Sequence, residues 1–267
     1  MIKKVNMELS HIKNYSYFVG SHHNDIRMTF NTFIKGIFLS LFLFIQLSVI
    51  ASNPFESKAE GAIEIIKESY IIDSIANSIY SDLQTDELSY QVFLKAFNGY
   101  YAFQKGGLIE NKNVLTIIDF DKPSAEKRFF IVDMEQHKII FNSYVAHGQN
   151  TGELIAQKFS NRENSHQSSL GFYLTDETYF GKHGLSLRLD GLERGINDNA
   201  RKRNIVVHSA DYVSDEYIAK NNRLGRSWGC PALPVDGYEE VIEYIKDKSL
   251  LFVYSSHSNY SNLSRVF

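Results

Sequence analysis

The spacing of apolar residues changes at Gly106-Gly107, and that change limits the folds open to this chain. Upstream, Ile63, Ile66, Tyr70, Ile71, Ile75 and Ile79 recur at helical spacing within 55–82. Residues 86–105 read as a second helix, with Leu88, Val92, Ala96, Phe97 and Tyr100 on one face, and the glycine pair ends it. Both stripes are expected to pack into a core. Downstream, short apolar runs and alternation replace the helical period. Strands are expected at 114–118, 128–134, 139–147, 171–179, 185–189, 204–208 and 250–254, with a hairpin at 135–138. Residues 236–248 carry Val241, Ile242 and Ile245 at helical spacing between the last two strands. Few helical crossovers fit between these strands. The expected fold is mainly antiparallel β with flanking helices, an α+β arrangement preceded by two N-terminal helices.

A chain of 267 residues with 43% hydrophobic and 22% charged content can bury a core without crosslinks. The formal net charge of -3 gives no basic field for nucleic acid or anionic lipid. Only four prolines, with no low-complexity run or internal repeat, leave little room for disordered linkers.

Residues 33–50 form a hydrophobic segment whose uninterrupted core, 36–45, is shorter than the ~20 apolar residues a bilayer span needs. Lys35 flanks it, and Val49-Ile50-Ala51 fits small-residue cleavage, so the segment reads as an export signal. The expected location is the periplasm or cell envelope, with an uncleaved anchor as the alternative. No cysteine lies near the cleavage point, which excludes a lipoprotein anchor. The polar stretch 1–27, with His11, His22 and His23, is long for a signal's first region, and Met28 is the expected start of translation. The expected layout is therefore 1–51 extension and signal, 52–110 helical segment, 111–256 catalytic domain and 257–267 C-terminal tail.

Cys230 is the single cysteine. In an exported chain it cannot form an internal disulfide, so it is an accident, an intermolecular link or a reagent. His208 follows the apolar run Ile205-Val206-Val207 and sits where a strand meets a loop. An imidazole there can take the proton of a thiol, and backbone N–H groups can hold the resulting oxyanion. Gly229 permits close backbone approach, and Pro231 keeps Cys230 extended. The competing readings are an inert buried cysteine and a structural histidine.

A strand ending in histidine, then a loop, then Ser227-Trp228-Gly229-Cys230 resembles the murein L,D-transpeptidase catalytic-domain family. The resemblance extends through Arg188 to Glu193, Asn197 to Ala200, His208 to Val213 and Arg223 to Ala232, and covers roughly 86–254. It implies a barrel-like β-sandwich catalytic domain. It implies Cys230 as acylated nucleophile, His208 as base, the Ser209 carbonyl as orienter of the imidazole, and the N–H groups of Gly229 and Cys230 as oxyanion donors. Ser227 matches the family's small hydroxyl residue. The sequence departs from the pattern at three places, one of them Leu170, which replaces the proline of a Pro-Gly turn that the family often has. Trp228 stands where many members have histidine, and Pro231-Ala232 follow the cysteine where many have Asn or Arg. Arg223 and Arg226 are then candidates for substrate carboxylates, with solvent-facing loop cations as the alternative. Trp228 walls an acyl pocket or packs in the core. Tyr179, His183 and His147 complete the candidates for the substrate groove, with structural or exposed roles as the alternative for the two histidines. The scattered histidines lack metal-site spacing, so neither metal nor cofactor is expected.

The function so implied is an exported cysteine L,D-transpeptidase that forms 3→3 crosslinks between peptidoglycan stem peptides and is open to acylation by carbapenems. The same thioester delivered to water or to a protein lysine gives an L,D-carboxypeptidase or a protein-to-wall ligase. A domain that binds peptidoglycan without chemistry is the third reading. Oligomeric state is not legible in the sequence.

Overall fold

The computed structural model describes residues 54–111 and 113–266. The chain divides into two units, 1–63 and 64–267. The described part of the first unit is the start of helix α1, Pro54–Leu83. The hydrophobic segment 33–50 and Met28 lie outside the described residues. Among the described residues no helix is long and apolar enough to cross a membrane.

Helix α2, Tyr90–Lys105, begins where the Ser89 hydroxyl accepts from the Val92 N–H, capping a donor that a helix start leaves unpaired. It buries Val92, Phe93, Ala96, Phe97 and Tyr100. A Cβ on Gly99 would lie 2.1 Å from the Phe172 ring, so only glycine lets this helix close on the sheet.

The stripe on α1 corrects the expectation of core packing. Ile63, Ile66, Tyr70, Ile71 and Ile75 are 40–76% exposed, and only the last turns, with Ala76, Ile79 and Leu83, are buried. Across a gap of about 450 Å³, Asn98, Tyr101, Ala102 and Lys105 of α2 face Ile65, Glu68, Ser69, Ile72 and Asp73 of α1, so the exposed stripe lies on a different face of α1. Lys105 Nζ pairs with Glu68 Oε1 at 2.5 Å across the gap.

Eight strands follow: β1 Val114–Asp119, β2 Phe129–Asp133, β3 Lys138–Ser143, β4 Gly171–Gly181, β5 Gly184–Gly191, β6 Val206–Ser209, β7 Ala232–Leu233 and β8 Leu250–Tyr254. They form one sheet in the order β3-β2-β1-β8-β4-β5-β6-β7. Five pairings are antiparallel, while β1–β8 and β6–β7 are parallel. The β2–β3 hairpin turns at 134–137, where Asp133 Oδ1 accepts from the N–H groups of Glu135 and Gln136. β1 and β8 are buried along their whole length, as their continuous apolar runs require of strands covered on both faces. Helix α2 packs on β1, and so does α4, Tyr238–Ile245, through Val241, Ile242 and Ile245.

The sheet curls towards closure. Ala146, three residues beyond β3, bridges Ala232 of β7, with its N–H 2.8 Å from the Ala232 oxygen. Ser227 N–H donates to the His147 carbonyl at 3.0 Å beside it. The two edge strands are thereby joined into a barrel-like fold.

Helix α3, Asp215–Asn221, has no buried residue, and β7 has two residues. Neither offers a hydrophobic period to read. The segment after residue 256 also packs. Tyr260, at the start of α5 (Tyr260–Leu263), is buried and donates to Glu193 Oε1 at 2.8 Å. Ser264 donates to Glu193 Oε2 at 2.5 Å.

Candidate active site

Parallel pairing of β6 with β7 builds the site. His208 is in register with Ala232, and its N–H donates to the Pro231 carbonyl at 3.3 Å. Cys230 thus lies two residues before β7, the strand paired with the end of β6 that carries His208. His208 is 4% exposed. Its Nδ1 lies 2.8 Å from the Ser209 carbonyl oxygen. A carbonyl can only accept, so Nδ1 carries the proton and Nε2 keeps a lone pair. Burial pushes the imidazole pKa down, the Ser209 bond resists this, and His183 adds to the depression. The His183 ring covers it at 4.6 Å between centroids, from the turn between β4 and β5.

Gly229 has φ +125°, and a Cβ there would lie 2.7 Å from the Gln167 carbonyl oxygen and 3.2 Å from Arg203 Nη2. Both facts confine the position to glycine. Ser227 Oγ accepts from Gly229 N–H at 3.0 Å and donates to the Cys230 carbonyl at 2.6 Å. Ser227 is buried and braces the turn instead of facing a groove, which corrects its expected contact with substrate. Gly229 N–H is already committed to that serine. The Cys230 N–H meets no acceptor among the described residues.

The Cys230 side chain is half-buried and packs against the core. Its sulfur donates to the Asn204 carbonyl at 3.6 Å rather than to the imidazole. Burial raises the thiol pKa, against the opposing pull of the Val206 backbone N–H and the Arg203 cation. Thiol and imidazole are therefore both neutral at rest near pH 7.

Trp228 is 71% exposed and stacks on His166, with centroids 4.9 Å apart and planes 9° from parallel. It is neither a core residue nor a pocket wall closed from solvent. His166 has φ +52° and meets the Gln149 side chain at 2.9 Å. Gln149, Ser165 and Gln167 belong to a polar cleft of about 850 Å³, with Asn150, Glu153 and Arg162 among its other lining residues.

Arg223 and Arg226 are not open receptors for a substrate carboxylate. Arg223 Nε pairs with Glu153 Oε2 at 3.0 Å, and Arg226 Nη1 with Glu153 Oε1 at 2.6 Å. Arg226 also donates to the carbonyls of Gln149 and Gly152. His147 is 1% exposed and lines no groove. Its Nδ1 accepts from the fully buried Arg128 at 2.8 Å, and Nε2 faces the Gly152 carbonyl at 3.2 Å. Burial and the Arg128 charge push its pKa down to about 3. Tyr179 stacks under the Arg188 guanidinium at 4.5 Å. Among the described residues no three His, Cys, Asp or Glu side chains converge on a metal-sized point.

Arg203 and Tyr212 were not foreseen as members of the site. Arg203 adjoins the Gly229 turn that precedes Cys230, and the thiol helps to raise the Tyr212 pKa to about 12, second to burial. Arg203 lies five residues before His208 in a lead-in without periodicity, so its position depends on tertiary contacts.

A family model described as the L,D-transpeptidase catalytic domain matches residues 84–254. No curated protein matches the chain. Solved structures similar to it include an L,D-transpeptidase from Mycobacterium smegmatis, at 12% identity over 54% of this chain and 59% of that one, TM-score 0.34. The helical cell shape determining protein Pgp2 from Campylobacter jejuni shares 15% identity over 60% of this chain and 54% of its own, TM-score 0.36. An L,D-transpeptidase from Xylanimonas cellulosilytica shares 11% identity over 68% and 92%, TM-score 0.29. The chain covers less than two thirds of the length of the first two. Structural likeness at these TM-scores carries no argument, and the assignment rests on the family match. That match spans well over half of the sequence and includes the whole β6–β7 site, and the chain belongs to the L,D-transpeptidase catalytic-domain family.

Proposed function

We propose that this chain is an exported cysteine L,D-transpeptidase acting on peptidoglycan stem peptides. The observation that carries the reading is the His208–Ser209 bond: it leaves Nε2 free to accept a proton on a strand paired with the one that follows Cys230. The S–H turns from the Asn204 carbonyl to Nε2 when substrate enters. The thiolate attacks the carbonyl of the third stem residue, a diamino acid, in a tetrapeptide donor. The Cys230 N–H supports the tetrahedral oxyanion. The peptide C–N bond breaks, the imidazolium returns its proton to the departing D-alanine amine, and a thioester remains. The side-chain amine of a second stem attacks that thioester and loses its proton to Nε2. The thiolate leaves, and a 3→3 crosslink has formed without a nucleotide. The hydrophobic segment 33–50 supports export to the cell envelope.

Intact-mass spectrometry after incubation with a carbapenem tests the nucleophile. One adduct is expected on the unmutated chain and none on C230A. An adduct on C230A overturns the assignment. Incubation with purified tetrapeptide muropeptides tests the acceptor: a crosslinked dimer is expected, whereas a trimmed tripeptide alone replaces transpeptidation by carboxypeptidation.

A further inference from the structure

We infer that Arg203 is a positioning residue for the nucleophile, a cation built into the fold so that negative charge can settle on Cys230. The inference rests on Cys230 being the nucleophile. The guanidinium is half-buried and, among the described residues, makes no ion pair. Its Nη1 donates to the Ser160 carbonyl at 2.8 Å and to Ser169 Oγ at 3.2 Å, and its Nη2 to the Gln167 carbonyl at 2.5 Å and Ser165 Oγ at 3.3 Å. Every acceptor is neutral. A cation withdrawn from water without a counter-ion leaves part of its desolvation penalty uncompensated.

The groups with negative charge to offer it are two. Tyr173 and Cys230 both raise the Arg203 pKa, against the depression from burial. Tyr173 is itself buried, with its phenol pushed above its ordinary range, and stays neutral. That leaves the thiol. Arg203 Nη2 lies 3.2 Å from where a Gly229 Cβ would stand, so the charge is adjacent to the nucleophile's own turn. Of the other groups around the sulfur, Tyr212 is neutral with its pKa raised to about 12, and the imidazoles of His208 and His183 face one another. Ser160, Ser165 and Gln167 also line the polar cleft. One side chain therefore ties the cleft wall to the nucleophile and supplies its counter-charge.

Alkylation by iodoacetamide reads this directly, because Cys230 is the single thiol and no transpeptidase turnover is required. In R203Q the midpoint of the rate-against-pH curve should rise by about one unit, so that alkylation below the midpoint is about tenfold slower. In R203K the charge is kept, and the midpoint should stay within a few tenths of the unmutated value. An unchanged midpoint in folded R203Q, or equal rises in both variants, overturns the inference. Should R203Q fail to fold, the unmutated protein serves. Its Arg203 guanidinium 15N resonances should shift at the thiol's own midpoint and lose that step in C230S, and a flat titration overturns the inference. Absence of a carbapenem adduct on the unmutated chain, with the R203Q midpoint shift present, overturns the proposed reaction and leaves the counter-charge to the thiolate standing, so the two fail separately.

Discussion

His183 lies over His208 with ring centroids 4.6 Å apart and planes inclined by 34°. One imidazole is exposed and the other is 4% exposed, so the outer ring shields the inner one from water. Any positive charge on the outer ring also disfavours a second on the inner ring. Both effects depress the pKa of His208, and burial is the larger. In the proposed reaction His208 takes a proton and must be neutral, so the acid limb of the rate profile should lie below its ordinary pKa. In H183A shielding and repulsion are both lost, and the limb should move to higher pH. Carbapenem acylation rates measured between pH 4 and 8 check this, and a limb that stays in place or moves down contradicts it.

G229A should lose acylation by ~100-fold or more while lowering stability by about 1–3 kcal/mol. The new methyl would meet the Gln167 carbonyl oxygen at 2.7 Å on a backbone with φ +125°. Thermal melts and single-turnover acylation separate the two effects. Activity retained within a factor of two would mean that the turn adjusts freely.

W228A should leave stability within about 0.5 kcal/mol, because a side chain 71% exposed contributes little to the core. The stacked pair with His166 stands two residues from Cys230, so on the proposed reaction KM for a muropeptide should rise about fivefold, roughly 1 kcal/mol of lost aromatic contact. A large drop in melting temperature with KM unchanged would assign Trp228 to structure.

Two buried groups oppose one another in acid. His147 has its pKa pushed down to about 3, so the unfolded chain takes a proton below about 6.5 that the folded chain refuses. Stability is lost through that group as pH falls from about 6.5 to about 3. Asp119 has its pKa raised to about 6 by burial, against the Asp121 N–H and the Arg128 charge. The folded chain therefore takes that proton first, and stability is gained as pH falls from about 6 to about 4. The two should nearly cancel between pH 6 and 4, with a steep loss below. D119N removes the compensation, and its melting temperature should fall progressively from pH 6. Parallel curves for D119N and the unmutated chain would refute the opposition.

The helical and strand periods on either side of Gly107, the hairpin at 135–138 and the order His208 before Cys230 are all legible in the sequence. Each follows from local spacing, which depends on backbone geometry alone. The family resemblance also needs only local order, because its residues fall in short contiguous runs.

The partners of those residues were decided by the tertiary structure. A regular stripe on α1 did not reveal that α2 would meet a different face of that helix, so Ile63, Ile66, Tyr70, Ile71 and Ile75 are exposed where core packing was expected. Arg223 and Arg226 look like anion receptors until Glu153, about 70 residues earlier, takes them both. Ser227, next to the tryptophan, turns inward to brace Gly229 and Cys230, while Trp228 turns out to stack on His166. The sequence by itself determined the long helices and strands, though not α3 or β7, and the order of the imidazole and the thiol along the chain. Parallel pairing of β6 with the two-residue β7 decided that the segment carrying Cys230 runs beside the strand that holds His208, and folding of the 160–169 segment decided that Arg203 would stand beside Gly229. Both depend on contacts between residues far apart in the chain, which no local period encodes.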